Sequence, residues 1–468
     1  MDEKNKVFFL GGGPASLAGG LELVKKGYFV TILEREGKVG GISKTINYKG
    51  YRFDVGGHRF FTKSEEVMRL WGDILGDDFR KTPRLSRIYY NKKFFMYPIQ
   101  IGDTFKKAGI TTSLACLYSF VLYRLMPIRH EKSFADWVTN RFGKKLFNMF
   151  FLSYTEKVWG ISTKILSADW AAQRIQGLSL WEVIKNAIFK PTNKAKTLID
   201  EFYYPKYGSG MMYEKIAEKI ESLGGKIIKN QQITDICLEN GNVVFAKTKN
   251  QNGNEECFYG DHFVSSVPLP DTIRFIDPKI DSSDEISKHL QFRDFLSVNL
   301  IIDQKDLFPD NWIYVHDPIV KMGRIQNFKN FSPDMTPLPE HSPIGCEYFC
   351  NQGDILWNTS DQELIDLAKN ELEKMGLIKK DSLIDGNVYR MRDAYPVYMD
   401  DYQDWISKAK KAIEPISNLQ AIGRGGMFRY NNMDHSILSG IFAARNIMGD
   451  NLNLWEINEE KEYHEIKK

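Results

Sequence analysis

The beginning of the chain alternates between apolar and polar segments in an order that predicts strand, helix and strand. Residues 7–10 form a short apolar run, as expected for a buried parallel strand. Residues 17–26 have the spacing of a helix, and residues 29–33 form a second apolar run. Consecutive glycines connect the first strand to the helix. We therefore expect a β-α-β unit with a tight turn after its first strand.

The glycine-rich turn has the residues that a bound dinucleotide requires. Gly11 lets the chain turn sharply, and Gly13 leaves room for a pyrophosphate beside the backbone at the N-terminus of the helix. Glu34 follows the second strand, where a carboxylate can accept a ribose hydroxyl. Ser16 takes the third glycine position, and its small side chain should still permit close packing. The pattern predicts a Rossmann-type domain, without separating NAD from FAD.

The later pattern predicts that this domain is discontinuous in an α/β fold. Residues 101–200 have a helical pattern, and a helix, a strand and a hairpin turning at Asn240 and Gly241 follow. Strand patterns return in FLSVNLIID and GCEYFC, and a helix pattern in DQELIDLAKNELEKM. We predict a dinucleotide-binding domain from residues 1–100, 201–268 and 396–468. Residues 101–200 would form a helical substrate or lid domain, and residues 269–395 a mixed α+β substrate domain.

Composition narrows the class of protein only a little. The 468 residues are 43% hydrophobic and 26% charged, as in an ordinary globular protein of more than one domain. The net charge of +3 gives no reason to expect a nucleic-acid partner. The five cysteines are scattered, and no two of them form a CxxC pair. We therefore expect neither a disulfide framework nor a metal site, and we expect the protein in the reducing cytoplasm. The N-terminal residues lack the apolar core of a signal peptide.

One apolar segment raises the question of a membrane. Residues 109–128 (GITTSLACLYSFVLYRLMPI) are largely apolar, but Arg124 and several polar residues interrupt them. We therefore expect no transmembrane helix. A buried helix is the main expectation, and a helix lying on a membrane surface is the alternative. Peripheral membrane contact stays open at this stage.

Further glycine-rich segments point to one dinucleotide. LEREGKVGGISKT places a glycine pair just after the acidic residue, and FDVGGHRFFTK and IGRGGMFRYNNMDHSI follow later. These three elements, in this order, resemble the flavoproteins with two dinucleotide-binding domains, in the amine oxidase superfamily. The resemblance implies FAD as the cofactor. It also implies cofactor contacts by Gly11, Gly13, Ser16, Glu34, Arg35, Gly40, Gly41, Gly57, His58, Ile233, Gly423, Arg424 and Met433.

More narrowly, the chain resembles the UDP-galactopyranose mutase family over nearly its whole length. The segments that carry this resemblance are GGHRFFT, YTEKVWG, QRIQG, FRDF, GRIQNFKNF, AYPVY and GRGGMFRYNNMD. Phe61 stands where the family has a histidine, and Asn432 where it has an aspartate. The resemblance implies catalytic roles for His58 and Arg324. It implies substrate contacts by Tyr154, Trp159, Arg174, Arg293, Arg324, Tyr395 and Tyr430, with Trp159 and Arg174 on a mobile lid.

These residue types suit a nucleotide-linked sugar. Guanidinium groups bind a diphosphate bidentately, and tyrosine rings stack on a base. The resemblance implies a pyranose–furanose mutase of cell-surface glycan biosynthesis, in which N5 of reduced FAD is the nucleophile and NAD(P)H is a candidate reductant. The sugar, its carrier (UDP, another nucleotide or a lipid diphosphate) and the oligomeric state stay open.

Two other functions stay open as well. A true oxidoreductase of the amine oxidase or protoporphyrinogen oxidase type would share the FAD domain. Such enzymes usually line the flavin with an aromatic cage or an apolar slot, whereas this sequence offers arginines and tyrosines. The third alternative is a protein that binds FAD without catalysing a reaction.

Overall fold

The computed structural model describes residues 5–99, 101–168 and 201–458. Its strands, labelled in chain order, are β1 Lys6–Leu10, β2 Phe29–Glu34, β3 Thr45–Tyr48, β4 Tyr51–Asp54, β5 Phe79–Pro83, β6 Ser86–Tyr90, β7 Lys93–Met96, β8 Glu201–Pro205, β9 Lys226–Lys229, β10 Gln231–Glu239, β11 Asn242–Asn250, β12 Glu255–Tyr259, β13 His262–Ser265, β14 Ile276–Asp277, β15 Phe292–Ile302, β16 Trp312–Val315, β17 Arg324–Asn327, β18 Ser342–Cys350, β19 Leu383–Pro396 and β20 Leu419–Ala421.

The α-helices of the described residues are labelled in the same way. They are α1 Pro14–Val24, α2 Glu65–Leu75, α3 Ile101–Ala108, α4 Ile110–Leu125, α5 Phe134–Phe142, α6 Lys144–Phe147, α7 Ser153–Trp159, α8 Gly210–Ser222, α9 Leu269–Arg274, α10 Ser283–His289, α11 Phe328–Phe331, α12 Ile355–Asn358, α13 Asp361–Lys374, α14 Tyr402–Ile413, α15 Gly423–Gly426 and α16 Met433–Ile447. A π-helical stretch, Asn148–Leu152, joins α6 to α7.

The predicted β-α-β unit forms the centre of a five-stranded parallel sheet. The strand order is β20-β13-β1-β2-β9, so β1 lies between β13 and β2. Alternate residues of β1 enter different cores: Phe9 packs with α1, α8 and α16, and Phe8 packs with β10, β11 and α14. Because both faces are covered, β1 is apolar almost throughout. The observed fold is therefore the α/β class that the sequence predicts, and α1 begins at Pro14, three residues earlier than expected.

Close packing in this unit depends on a glycine pair that the fingerprint does not include. Helix α1 crosses α16 with Gly19 against Gly440. A Cβ on Gly440 would lie 1.9 Å from the Ala15 carbonyl oxygen, and one on Gly19 would lie 2.6 Å from the Gly440 oxygen. Ser16 is buried nearby, and its hydroxyl donates to Ser266 Oγ at 3.0 Å. The backbones of α1 and α16 are thus in contact, and Ser16 is accommodated through a hydrogen bond.

A second, seven-stranded sheet faces the first across a cavity. Its order is β19-β15-β18-β17-β16-β6-β7, and it contains the predicted strands β15 and β18, with the predicted helix α13 beside it. Strand β6 pairs in parallel with β16, from Ser86 opposite Trp312 onward. Strands β6 and β7 therefore pair with the substrate-domain sheet, although the predicted boundary at residue 100 assigned them to the dinucleotide-binding domain. Long-range pairing of this kind has no signal in the local sequence pattern.

The predicted hairpin is also present. Strands β10 and β11 pair antiparallel, and the turn residues Asn240 and Gly241 have φ of 52° and 80°. Positive φ at both positions is the geometry of a type I′ turn, whose twist matches that of the strands.

The apolar segment at residues 109–128 is not a buried helix, so the main expectation for it is wrong. It forms α4, of which Cys116 and Phe120 are buried, whereas its four leucines are exposed. Among the residues that the structure describes, no helix is long and apolar enough to cross a membrane.

Candidate active site

A large cavity lies at the carboxyl ends of β1 and β2 and extends to the seven-stranded sheet. Its volume is about 1140 Å³, above the roughly 300–1,000 Å³ of a typical ligand pocket. It therefore has room for a cofactor and a second ligand. The predicted site residues that line it are Gly11, Gly13, Glu34, Arg35, Gly41, Gly57, His58, Tyr154, Trp159, Ile233, Arg324, Tyr395, Gly423, Arg424, Tyr430 and Met433.

The remaining predicted residues do not line this cavity in the described structure. Ser16 is buried behind the turn, and Gly40 has a φ of 105° in the loop that presents Gly41. The Arg293 guanidinium is enclosed by protein: Nε donates to the Val158 carbonyl at 3.3 Å and an Nη to the Phe349 carbonyl at 3.1 Å. Arg293 was predicted to contact substrate, but its guanidinium bonds to these two carbonyls and does not line the cavity. Arg174 lies outside the described residues.

The glycine turn forms a cradle for an anionic group. Gly13 is the N-cap of α1 with ordinary extended dihedrals, and a Cβ there would meet no protein atom within 4 Å. Gly11 differs, because it has a φ of +101° and its Cβ would lie 2.5 Å from Ser266 Oγ. Gly11 is therefore needed by the fold, whereas Gly13 keeps space open at a positive helix end.

Glu34 is fixed at the end of β2 by the backbone of the turn. Its carboxylate accepts hydrogen bonds from Gly12 N at 2.7 Å and from Glu36 N at 2.8 Å. Burial raises the pKa of Glu34, and the Lys44 charge and these two N–H groups oppose that rise. The carboxylate borders the cavity, so it can accept a ribose hydroxyl as predicted.

A buried lysine completes this end of the cavity, and no sequence signal distinguishes it. Lys44 is 2% exposed, and its ammonium forms an ion pair with Glu36 and donates to Tyr389 Oη at 3.1 Å. The Tyr389 hydroxyl also donates to Glu36. In a chain with 63 lysines and arginines, one lysine after GGIS carries no recognisable pattern. Lys44 therefore adds a positive charge to the same cavity wall as the glycine turn.

His58 borders the cavity as a neutral hydrogen-bond donor. Its Nε2 lies 2.8 Å from the Ile42 carbonyl oxygen and 2.9 Å from that of Val55, so Nε2 carries the proton. Burial lowers the pKa of His58 to about 4, helped by the nearby Arg424 and Arg324 charges. A histidine this weakly basic is not an imidazolium at neutral pH, so it cannot serve as a cationic general acid there.

This depressed pKa makes a prediction about acid stability. An unfolded histidine has a pKa of 6.5, so between that value and about 4 the unfolded chain binds more protons than the folded one. The stabilisation is complete above pH 6.5 and is lost as the pH falls. From near-neutral pH down to about pH 5, wild type should lose about 2 kcal/mol more unfolding free energy than His58→Gln, whose amide keeps the donor. Urea unfolding at both pH values measures this, and equal losses would contradict it.

Arg324 pairs with a buried carboxylate, and its own side chain is 15% exposed. Its Nε lies 3.4 Å from Glu347 Oε2, and Gln326 donates to the other carboxylate oxygen. Glu347 is fully buried. Burial favours the neutral guanidine, but the Glu347 carboxylate outweighs it, and the pKa of Arg324 is raised well above its ordinary value. Glu347 lies in the predicted strand GCEYFC without a predicted role in the site, yet it holds the cation that faces the cavity.

Aromatic rings line the same part of the cavity. Tyr395 and Tyr430 stack with ring centroids 5.7 Å apart, and the Arg424 guanidinium lies 4.5 Å from the Tyr430 ring centroid. Tyr154 stacks on His316 at 4.5 Å with an interplanar angle of 13°. Arg324 and Arg424 therefore both reach the cavity near tyrosines, although the resemblance implied a cofactor contact for Arg424.

Trp159 lines the same cavity but does not lie on a loop. It is the last residue of α7, where the left-handed Gly160 ends the helix with a hydrogen bond from its N–H to the Glu156 carbonyl. Its side chain packs against Tyr395 and Tyr430 and is 4% exposed. The loop placement predicted from the lid motif is therefore wrong for Trp159.

Two departures from the family motifs also border the cavity. Phe61 contributes an aromatic side chain to the wall. Asn432 is the N-cap residue of α16, a role in which Asn and Asp are about equally favourable. The change at position 432 thus preserves the helix start while removing one negative charge from the cavity wall. Within the described residues, no group of His, Cys, Asp and Glu side chains is arranged to hold a metal ion.

The fold and the cavity define a dinucleotide-binding α/β protein. The open space at Gly13, the helix end behind it and the carboxylate of Glu34 fit a pyrophosphate and its ribose. The chain matches the family model of flavin containing amine oxidoreductases over residues 17–448. It therefore belongs to this family, whose members use a flavin cofactor.

Solved structures share the fold. A reduced UDP-galactopyranose mutase superposes with a TM-score of 0.84 at 20% identity, covering 98% of this chain and 96% of that protein. A protein from Exiguobacterium sp. 255-15, provisionally assigned as a protoporphyrinogen oxidase, gives 0.72 at 17% identity, covering 96% and 99%.

A curated relative matches a shorter part. The 4,4'-diapophytoene desaturase (4,4'-diapolycopene-forming) of Methylomonas sp is 22% identical over 273 residues, which is 52% of this chain. The match spans 50% of that desaturase's own length.

Proposed function

We propose that the protein is an FAD-dependent pyranose–furanose mutase that acts on a nucleotide-linked hexose resembling UDP-galactopyranose. One observation carries this proposal: the cavity beyond the dinucleotide cradle is bordered by the largely enclosed cation of Arg324 and by Arg424, near three tyrosines. Enclosing a guanidinium in protein is costly unless the charge is paired. The N–H groups of these guanidinium groups that face the cavity can donate to an anionic ligand such as a diphosphate. The likeness to a mutase along 98% of the chain supports it.

The described residues divide between two ligands. The glycine cradle, Glu34 and Lys44 would hold the FAD pyrophosphate and ribose. Arg324 and Arg424 would bind the substrate diphosphate, and the Tyr395 and Tyr430 hydroxyls would donate to its oxygens or to the sugar. Tyr154, which stacks on His316 at the cavity wall, would contact the nucleobase.

The protein's contribution to the reaction is orientation and charge. FAD, when bound in its reduced form, supplies a nucleophilic flavin nitrogen. Arg324 stabilises the negative charge that develops as the diphosphate leaves the anomeric carbon, and it is held ready for this by Glu347. Trp159 and Tyr395 close the wall beside it and exclude water. No general acid–base pair from the protein is required, which agrees with a neutral His58.

The proposal predicts activity that needs reduced flavin but consumes no reductant. Anaerobic enzyme reduced with dithionite should convert UDP-galactopyranose to the furanose form, detected by chromatography of the nucleotide sugars. Oxidised enzyme should be inactive, and one reduction should support many turnovers. NAD(P)H can be tested as the reductant in place of dithionite. We place the reaction in the cytoplasm, which is consistent with the five unpaired cysteines. We also place it in glycan biosynthesis.

A redox function is the second candidate. Family membership and the desaturase match favour it, as does the apolar part of the cavity wall formed by Ile88, Ile99, Phe134, Phe150 and Phe151. An oxidase or desaturase would have its oxidised flavin bleached by substrate, and an electron acceptor would restore the colour. Bleaching by an amine or an apolar substrate, together with no furanose from any nucleotide sugar, would replace the mutase proposal.

A further inference from the structure

Helix α4 (Ile110–Leu125) is apolar on two opposite sides. One side packs onto the protein: Cys116 and Phe120 are buried, and Cys116 Sγ lies 3.8 Å from Met149 Sδ. Gly143 allows this approach, because a Cβ there would lie 2.7 Å from the Phe120 nitrogen. The orientation of α4 on the protein is therefore fixed by close contacts.

The opposite side presents a continuous apolar stripe to solvent. Its exposed residues recur at the helical spacing of three and four and are Ile110, Leu114, Leu117, Tyr118, Val121, Leu122 and Leu125. Leu114 is 62% exposed and Leu125 is 76% exposed. Isolated exposed leucines are common, but a stripe along a helix of 16 residues, about 24 Å, marks an interaction surface. No described part of the chain covers it.

The charge around α4 identifies the kind of partner. Residues 92–164 contain 12 lysines and arginines but only 4 aspartates and glutamates, a net charge of +8 in a chain whose total is +3. Exposed basic side chains adjoin the stripe: Lys106 lies in the last turn of α3 just before it, and Arg124 lies along its edge. Lys144 and Lys145 begin α6 on the other flank, where Lys145 N donates to Ser119 Oγ at 3.1 Å.

We propose that α4 lies on an anionic lipid bilayer, with its exposed stripe in the interface and the basic residues at the headgroups. An apolar helix face flanked by lysines and arginines has the chemistry for this position. A second copy of the chain fits less well, because it would bring two basic surfaces against each other. The proposal is independent of the reaction, and it places the flavoprotein at a membrane surface without a spanning helix.

Vesicle flotation of the flavin-loaded full-length protein tests this proposal. The protein should float with vesicles of phosphatidylcholine and phosphatidylglycerol, and much less with phosphatidylcholine alone or at high salt. Leu114→Glu/Leu125→Glu should weaken binding at least about tenfold, and Arg124→Gln about fivefold. Ile355→Glu is the control for an added surface carboxylate, because Ile355 is 90% exposed on α12, outside the stripe, and it should bind like wild type.

Several results would overturn the proposal. One is the absence of flotation with anionic vesicles, and another is unchanged binding by the double glutamate variant. Light scattering that shows a dimer, which the double variant converts to a monomer, would assign the stripe to a second copy. A large fall in melting temperature for the double variant, without vesicle binding by wild type, would show that residues outside the described ranges cover the stripe.

Discussion

Replacement of Gly13 by leucine is expected to give a folded protein that no longer holds flavin. The backbone of Gly13 has φ −78° and ψ 178°, which any residue can adopt, and the Cβ of a side chain there would meet no protein atom within 4 Å. That side chain would instead occupy the space in front of the α1 N-terminus, where the pyrophosphate belongs. Steric overlap and the lost N–H contacts together should weaken FAD binding by about 10²–10³-fold.

The measurement is the flavin absorbance of purified protein, followed by titration of the flavin-free protein with FAD. Gly72→Leu is the matched control, because Gly72 also has open space around it but lies on α2, away from the cavity. Both variants should have a free energy of unfolding within about 1 kcal/mol of wild type. An N-cap change at Gly13 and a change from glycine to leucine inside α2 each alter stability by about that much. A yellow Gly13→Leu protein with normal affinity would show that the pyrophosphate does not pass this turn.

Local patterns in the sequence predicted the nucleotide-binding unit well. The strands β1 and β2, the turn between β1 and α1, and the Asn240–Gly241 hairpin each depend on neighbouring residues, and all are observed. Helix α4 shows the limit of such patterns. Its apolar residues were expected to be buried, but burial depends on what else packs nearby, and the described chain covers only the side with Cys116 and Phe120.

The candidate site divides in the same way. Its arginines and tyrosines could be found because each lies inside a recognisable segment, and Arg324, Arg424, Tyr395 and Tyr430 do meet in the cavity. Residues that act on the site through contacts distant in sequence could not be predicted from local patterns. The pairing of Glu347 with Arg324 needs β17 and β18 to be adjacent, with Arg324 directly opposite Glu347 in the register. No periodicity in the sequence encodes that alignment.

The pair formed by Arg324 and Glu347 gives the second large prediction, in which stability and activity separate. Arg324→Met should lower the free energy of unfolding by about 3–5 kcal/mol, because it leaves the fully buried Glu347 carboxylate without its cation. Glu347→Gln should also destabilise, because it leaves the guanidinium unpaired. The double variant Arg324→Met/Glu347→Gln removes both charges, so it should recover most of the lost stability.

Activity should not recover with stability. Mutase turnover in the double variant should stay about 10²–10³-fold below wild type, because no cation then faces the departing diphosphate. Urea unfolding of the four proteins measures the coupling energy, and anaerobic conversion of UDP-galactopyranose measures turnover at equal flavin content. Near-normal activity in the double variant would mean that Arg324 serves only the packing of β17 against β18. Destabilisation equal to the sum of the single variants would mean that Glu347 is not what holds Arg324 charged at the cavity wall.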